Sequence, residues 1–88
     1  MNDLNEEAVL EERIAELEKD LRFCENMLNK EARIELARRI LEDLMEESKS
    51  IPTQDFPEAL KIRIENLQMR IRILYHRANA LLSLQQEG

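Results

Sequence analysis

Glycine is almost absent from this 88-residue chain, and this absence limits the fold more than any other feature. The single glycine is Gly88, the last residue. Tight turns and β-hairpins depend on residues that accept positive φ angles, a role that glycine fills most readily. Charged residues make up 36% of the chain, well above the roughly 25% of an average domain. The sequence therefore predicts an all-α fold with long, exposed helices.

The stretch "ALKIRIENLQMRIRILYHRANALLSL", Ala59 to Leu84, carries two periodicities. Its first half alternates apolar and polar residues, as a half-buried strand does. A longer row of apolar residues instead steps by four and three, as on one face of a helix. A hairpin at Glu65 and Asn66 would need a glycine, so the helix is favoured. The row consists of Leu60, Ile64, Leu67, Ile71, Leu74, Ala78 and Leu81.

One clear helix breaker precedes this stretch: "SKSIPTQDFP", Ser48 to Pro57. It holds both prolines of the chain, together with serine, threonine and aspartate. Asp55 can cap a helix, Pro57 is tolerated in the first turn, and Glu58 completes a capping box. The sequence predicts a loop over residues 49–55 and a final helix over about 56–85.

The first half of the chain leaves two interpretations open. A second heptad row stops where Glu31 and Glu35 occupy the expected apolar positions, then resumes in a shifted phase. One long helix over residues 3–48, bent or broken near 29–31, is favoured because the stretch is otherwise helix-forming. A turn at "LNKE", where Asn29 tolerates the left-handed conformation, would give a third helix. The rows contain Leu10, Ile14, Leu17, Leu21, Cys24 and Leu28, then Ile34, Ala37, Leu41 and Leu44.

We therefore expect one α-helical domain over residues 1–88. Its predicted architecture is an antiparallel helical hairpin or coiled coil: a long helix, a proline-containing loop and a second helix. A three-helix bundle is the alternative. Residues 1–50 carry 15 acidic and 8 basic side chains, whereas residues 51–88 carry 4 and 5, so the two parts attract each other when folded antiparallel.

The final helix has a second apolar face. Ile62, Met69, Ile73 and Ala80 lie nearly opposite the long apolar row, and a helix that is apolar on two faces is normally covered on both. Either a third helix of the same chain covers this face, or a partner protein or a second copy does. Tyrosine and arginine are favoured as interface anchors. The predicted partner-binding residues are Ile62, Met69, Ile73, Tyr75, Arg77 and Ala80.

Nothing in the sequence predicts an enzyme, a cofactor or a metal site. His76 is the only histidine, and no further ligands cluster around it. Cys24 lies on the heptad row, where a thiol acts as a small apolar residue, and a single cysteine suits a reducing cytoplasm. No basic patch with interleaved aromatics indicates nucleic-acid binding. No run approaches the roughly 18–20 apolar residues that span a bilayer.

The end of the chain, "MRIRILYHRANALLSLQQEG", resembles the C-terminal helix of the YscE/SsaE-like co-chaperones of the type III secretion needle subunit. Several members carry an aliphatic run ending in tyrosine or histidine. Gln54, Asp55 and Pro57 resemble the loop before that helix. The similarity spans about residues 50–88, and the first helical part is longer than the family leads one to expect. The matching run here is Ile71, Ile73, Leu74, Tyr75 and His76.

The resemblance implies a short helical hairpin in the bacterial cytoplasm that pairs with a helical-repeat (TPR-like) chaperone. The pair would keep the needle subunit soluble before export. Two other functions stay open on the residues alone. One is a phage-type inhibitor that mimics nucleic acid with its acidic helix. The other is a homodimeric coiled coil with a structural role.

Overall fold

A computed structural model describes the backbone of residues 3–52 and 56–87, and the side chains of 6–52 and 56–86. This part of the chain forms three helices and no strand: α1 (Asp3–Asn29), α2 (Ile34–Lys49) and α3 (Glu58–Glu87). The predicted all-α class is confirmed. The helix favoured over residues 3–48 is instead divided into α1 and α2, as in the alternative interpretation.

The three helices pack around a single core, and each contacts both of the others. The ion pairs Glu18–Arg63 and Glu25–Arg70 advance together along the chain, so α1 and α3 run in the same direction. The α2 helix runs opposite to both. Its orientation follows from two contacts with α3, Arg38–Asn79 and Tyr75–Glu42, whose residue numbers change in opposite directions.

The break between α1 and α2 is a Schellman-type helix end. The amide of Ala32 donates to the carbonyl of Met27 at 3.0 Å, and that of Glu31 donates to Leu28 at 3.0 Å. Glu31 takes the left-handed conformation that this motif requires, with φ 50°. Asn29, the residue expected to tolerate that conformation, is instead the last helical residue. Arg33 is also left-handed, with φ 55°, and precedes α2 without a side-chain cap.

The α3 helix begins two residues later than predicted. The carbonyl of Pro57 accepts bonds from the amides of Leu60 and Lys61, so Pro57 immediately precedes the helix. Phe56 is half-buried and packs against the core. The predicted cap Asp55, and Gln54 of the resemblance, lie outside the described residues.

The core is built from the heptad rows of the three helices. The α1 and α2 rows are buried as predicted, with Met27 and Ile51 added. On α3 the predicted row is buried up to Ala78, after which Leu82 is buried and Leu81 only partly so. Ser48 is the one buried polar residue among those described, and its hydroxyl donates to the carbonyl of Met45 at 3.0 Å. The apolar rows therefore hold the three helices together.

Replacing Glu31 with glycine should stabilise the protein. A left-handed non-glycine residue costs about 1–2 kcal/mol, part of which glycine loses to the greater entropy of the unfolded chain. We expect Glu31→Gly to raise the free energy of unfolding by about 0.5–1 kcal/mol, measured by urea denaturation followed by circular dichroism. Lys30→Gly is the control, because Lys30 lacks a positive φ and should lose stability. Equal losses in both variants would contradict the described turn.

The two faces of α3 should differ sharply in their contribution to stability. Ile71 is 0% exposed and Ile73 is 58% exposed, although both lie on the same helix two residues apart. Ile71→Ala should lower the free energy of unfolding by about 2–5 kcal/mol, since it opens a cavity. Ile73→Ala should change it by less than about 0.5 kcal/mol. Comparable losses at the two positions, in the same denaturation experiment, would show that the outer side of α3 is packed.

Candidate functional site

The strongest candidate site is a row of apolar side chains on the side of α3 that faces away from the core. We call this row the outer face and define it as Ile62, Met69, Ile73, Ala80 and Leu84. At 100° per residue these positions fall within an arc of about 60°. All five are exposed, and the exposed fractions of Ile62, Met69 and Ile73 are 49%, 48% and 58%. A helix with a second apolar side in water is a candidate for binding another molecule.

A third helix of the same chain does not cover the outer face. α1 and α2 both pack on the opposite side of α3, where the row from Leu60 to Leu82 is buried. The sequence left open whether a third helix of the chain covers this face. Three helices are present, and the face still lies in water in the described structure.

Sequence reasoning placed four of the five outer-face residues and missed Leu84. Leu84 is 64% exposed and lies eleven residues after Ile73, which is three helical turns on the same side. The spacing alone could have found it. With Leu84 included, the outer face extends over about 33 Å of helix at 1.5 Å per residue.

The structure separates the two predicted polar anchors from each other. Tyr75 is half-buried and packs against the core, and its hydroxyl donates to the carboxylate of Glu42 at 3.5 Å. Tyr75 therefore lies on the α2 side of α3 and not on the outer face. Arg77 is exposed and lies directly beside Ile73 and Ala80 at the border of the outer face.

A row of arginines follows the α1 side of the outer face. Arg63 makes two bonds to the carboxylate of Glu18, at 2.7 and 3.1 Å, and Arg70 contacts Glu25 at 3.2 Å. Both pairs join residues 45 positions apart. Arg77 is the next arginine at the same seven-residue spacing, and no hydrogen bond or ion pair involves it within residues 6–52 and 56–86. The outer face therefore has a positive border that ends in Arg77.

The Glu18–Arg63 pair changes the acidity of one carboxyl group. The hydrogen bond and charge of Arg63 lower the pKa of Glu18 from its ordinary value, although partial burial acts in the opposite direction. Two-point contact between a guanidinium and a carboxylate also fixes side-chain geometry. This pair thus ties α1 to α3 beside the outer face.

Cys24 and His76, the other residues with possible chemical roles, lie in different surroundings. Burial raises the pKa of the Cys24 thiol to about 11, and its Sγ lies 3.8 Å from the carbonyl oxygen of Ala37. His76 is exposed on α3. Within the part of the chain that the structure describes, no group of three or more His, Cys, Asp or Glu side chains could hold a metal ion.

Two depressions on the described surface are lined mainly by polar groups. The first, of about 410 Å³, lies on α2 and is lined by charged residues and one leucine. A smaller one, of about 240 Å³, lies between the end of α2 and the start of α3. The first is lined by Glu35, Leu36, Arg38, Arg39 and Glu42, a set without a cysteine, serine or histidine. These side chains do not form a nucleophile–base arrangement.

Among the described residues, no helix is both long enough and apolar enough to cross a membrane. Comparison of the chain with protein-family models, with curated proteins and with solved structures finds no match.

The pair between Glu18 and Arg63 should give a pH-dependent contribution to stability. Because the folded-state pKa of Glu18 is lowered from 4.5, the contribution is complete above that pH and is lost as the pH falls through the folded-state value. Glu18→Gln should lower the free energy of unfolding by about 0.5–1 kcal/mol at pH 7. The difference from wild type should disappear in acid, as measured by denaturation at a series of pH values.

Glu16→Gln is the matched control for this prediction. Glu16 lies two residues away on the exposed side of α1, and no ion pair to it occurs in the described structure. Glu16→Gln should change the free energy of unfolding little, both at pH 7 and in acid. A cost for Glu18→Gln that stays constant down to pH 3 would contradict the pairing.

Proposed function

We propose that this protein is a non-enzymatic binding module that docks on another protein through the outer face of α3. The observation that carries the proposal is the exposure of Ile62, Met69 and Ile73 on a helix whose opposite side is fully packed. Isolated apolar residues on a surface are ordinary, but an aligned row over several turns favours an interface.

The binding energy would come chiefly from apolar burial. Removal of apolar surface from water contributes about 25 cal/mol per Å², from which the cost of association must be subtracted. Ile73 lies at the centre of the row, between Ile62 and Leu84. Central residues of an interface usually carry the largest share of the energy, because their neighbours exclude water from them.

The resemblance to the YscE/SsaE-like co-chaperones suggests one specific form of this function. In that form the partner is a helical-repeat (TPR-like) chaperone in the bacterial cytoplasm, and the pair keeps a needle subunit soluble before export. A small helical protein with a docking helix suits such a role. The support for this specific form is the short run around Tyr75 and His76, so the general binding function does not depend on it.

The proposal predicts that Ile73→Asp abolishes partner capture and leaves the helices intact. A carboxylate in the centre of an apolar interface must be desolvated, whereas in the isolated protein it stays in water. The measurement is affinity capture from an extract of the source organism, with the immobilised wild type and variant compared by mass spectrometry. We expect the partner signal to fall by roughly tenfold or more.

Val9→Asp is the matched control, because Val9 is 65% exposed on α1 and the change likewise replaces an exposed β-branched aliphatic side chain with a carboxylate. It should capture the same proteins as wild type. Circular dichroism should show equal helix content in both variants. A partner retained equally by wild type and by Ile73→Asp would contradict the docking role of this face.

The two alternative functions predict different outcomes. A nucleic-acid mimic would capture a basic, DNA-binding protein in a salt-sensitive manner that Ile73→Asp leaves unchanged. However, the arginine partners of Glu18 and Glu25 interrupt the acidic surface of α1, which weakens that alternative. A homodimer would show a concentration-dependent mass in sedimentation experiments, and Ile73→Asp would reduce it to the monomer mass.

A further inference from the structure

We infer that the partner presents an amphipathic α-helix whose apolar row is flanked by carboxylates, and that Arg77 binds one of these carboxylates. This inference rests on the proposed function and names the chemistry of the partner. Its basis is the positive border of the outer face, in which two arginines are already neutralised by this chain and the next one is not.

The arginines of this border recur every seven residues, at 63, 70 and 77, and only the first two have a carboxylate partner among the described residues. Glu18 binds Arg63, and seven residues later Glu25 binds Arg70. With the same offset of 45 residues, an uninterrupted α1 would place position 32, an alanine, beside Arg77. Ala32 cannot supply a carboxylate, and it already lies in the turn beyond the end of α1. Arg77 therefore continues the positive border past the last acidic residue that α1 can offer.

The opposite border of the outer face carries one acidic and one basic side chain, because the exposed Glu65 lies about 40° from Met69 on the same side as Arg72. Arg72 is exposed and lies about 60° from Met69 around the helix, on the side away from Arg77. The whole of α3 carries five basic and three acidic side chains, whereas α1 carries three basic and nine acidic ones. Among the three described helices, only α3, which carries the outer face, has more basic than acidic side chains. The net charge of the chain is −6.

A second copy of this chain fits the outer face poorly. In an antiparallel pairing of two α3 helices centred on Ile73, Arg70 of one copy lies beside Arg77 of the other, and the reciprocal contact repeats it. In a parallel pairing, Arg72 of one copy faces Arg77 of the other across the interface. Glu65 then faces Arg70, but Arg70 is already paired with Glu25 of its own chain. Like charges placed together oppose association. The arginines on the α1 side of the outer face would be complementary to a helix whose facing border is acidic.

Arginine at this position is well suited to the role. Its planar guanidinium binds a carboxylate at two points, and its aliphatic stem can cover neighbouring apolar side chains. Arg77 is adjacent to Ile73 and Ala80, so a carboxylate bound to it would lie next to the apolar row. The apolar row would then supply affinity. Arg77 would fix the register of the partner helix and select one with a negative charge beside its apolar row.

The test uses two synthetic helical peptides as probes with the full-length protein. Both carry the same row of leucines at helical spacing, and they differ only in glutamate or lysine at the flanking positions. Binding is measured by fluorescence anisotropy at low and at moderate salt. We expect the glutamate peptide to bind roughly tenfold more tightly at low salt, and the difference to narrow as salt rises. General attraction to a chain of charge −6 predicts the reverse order, so the comparison is decisive.

Charge reversal at Arg77 identifies the residue responsible. Arg77→Glu should weaken binding of the glutamate peptide by roughly tenfold and strengthen binding of the lysine peptide. Arg39→Glu is the control, because Arg39 is exposed on α2 and the change in net charge is the same. Arg39→Glu should leave the preference of the protein for the glutamate peptide over the lysine peptide unaltered. Equal effects of the two reversals would overturn the assignment to Arg77.

The outcomes also separate this inference from the proposed function. If both peptides bind equally and Ile73→Asp abolishes both, the docking face stands and the acidic partner is overturned. If neither peptide binds, or if Ile73→Asp binds as wild type does, both proposals fail. A dimer of the wild type that Ile73→Asp dissociates in sedimentation would assign the face to a second copy and overturn the acidic partner.

Discussion

The turn between α1 and α2 is the constraint on which the rest of the structure depends. Since no glycine is available, Glu31 and Arg33 take left-handed conformations at about 1–2 kcal/mol each. The apolar residues that flank the turn, Leu28 and Ile34, are almost fully buried, and each burial contributes about 1.5–3 kcal/mol. The burial therefore offsets the strain. The turn reverses the chain at the point where the heptad phase changes.

The heptad rows explain which parts of the fold the sequence could predict. Apolar residues at spacings of four and three identified the buried side of each helix, and the pair of prolines located the loop before α3. The break after Asn29 was harder to predict, because the local residues are good helix formers and the turn uses a glutamate in an unfavourable conformation. Tertiary burial on both sides of the turn outweighed that local preference.

The outer face could be predicted in the same way, because it follows from helical spacing. The contacts made by the residues that border the outer face could not be predicted. Tyr75 follows the aliphatic run directly, yet the rotation of α3 directs it towards Glu42 on α2. The pairing of Arg63 with Glu18 depends on the relative position of two helices that are distant in sequence. Heptad spacing records which side of a helix is apolar, but it does not contain the offset between helices.

The two sides of α3 impose different demands on the same helix. The buried side needs tight packing against α1 and α2, and the arginines at 63 and 70 reinforce it through α1. Beyond the end of α1 that reinforcement stops, and Arg77, at the same spacing, makes no hydrogen bond or ion pair within residues 6–52 and 56–86. Because α1 ends where it does, the guanidinium at the third position has no carboxylate partner on α1. The length of α1 therefore determines which of the three arginines it can pair with.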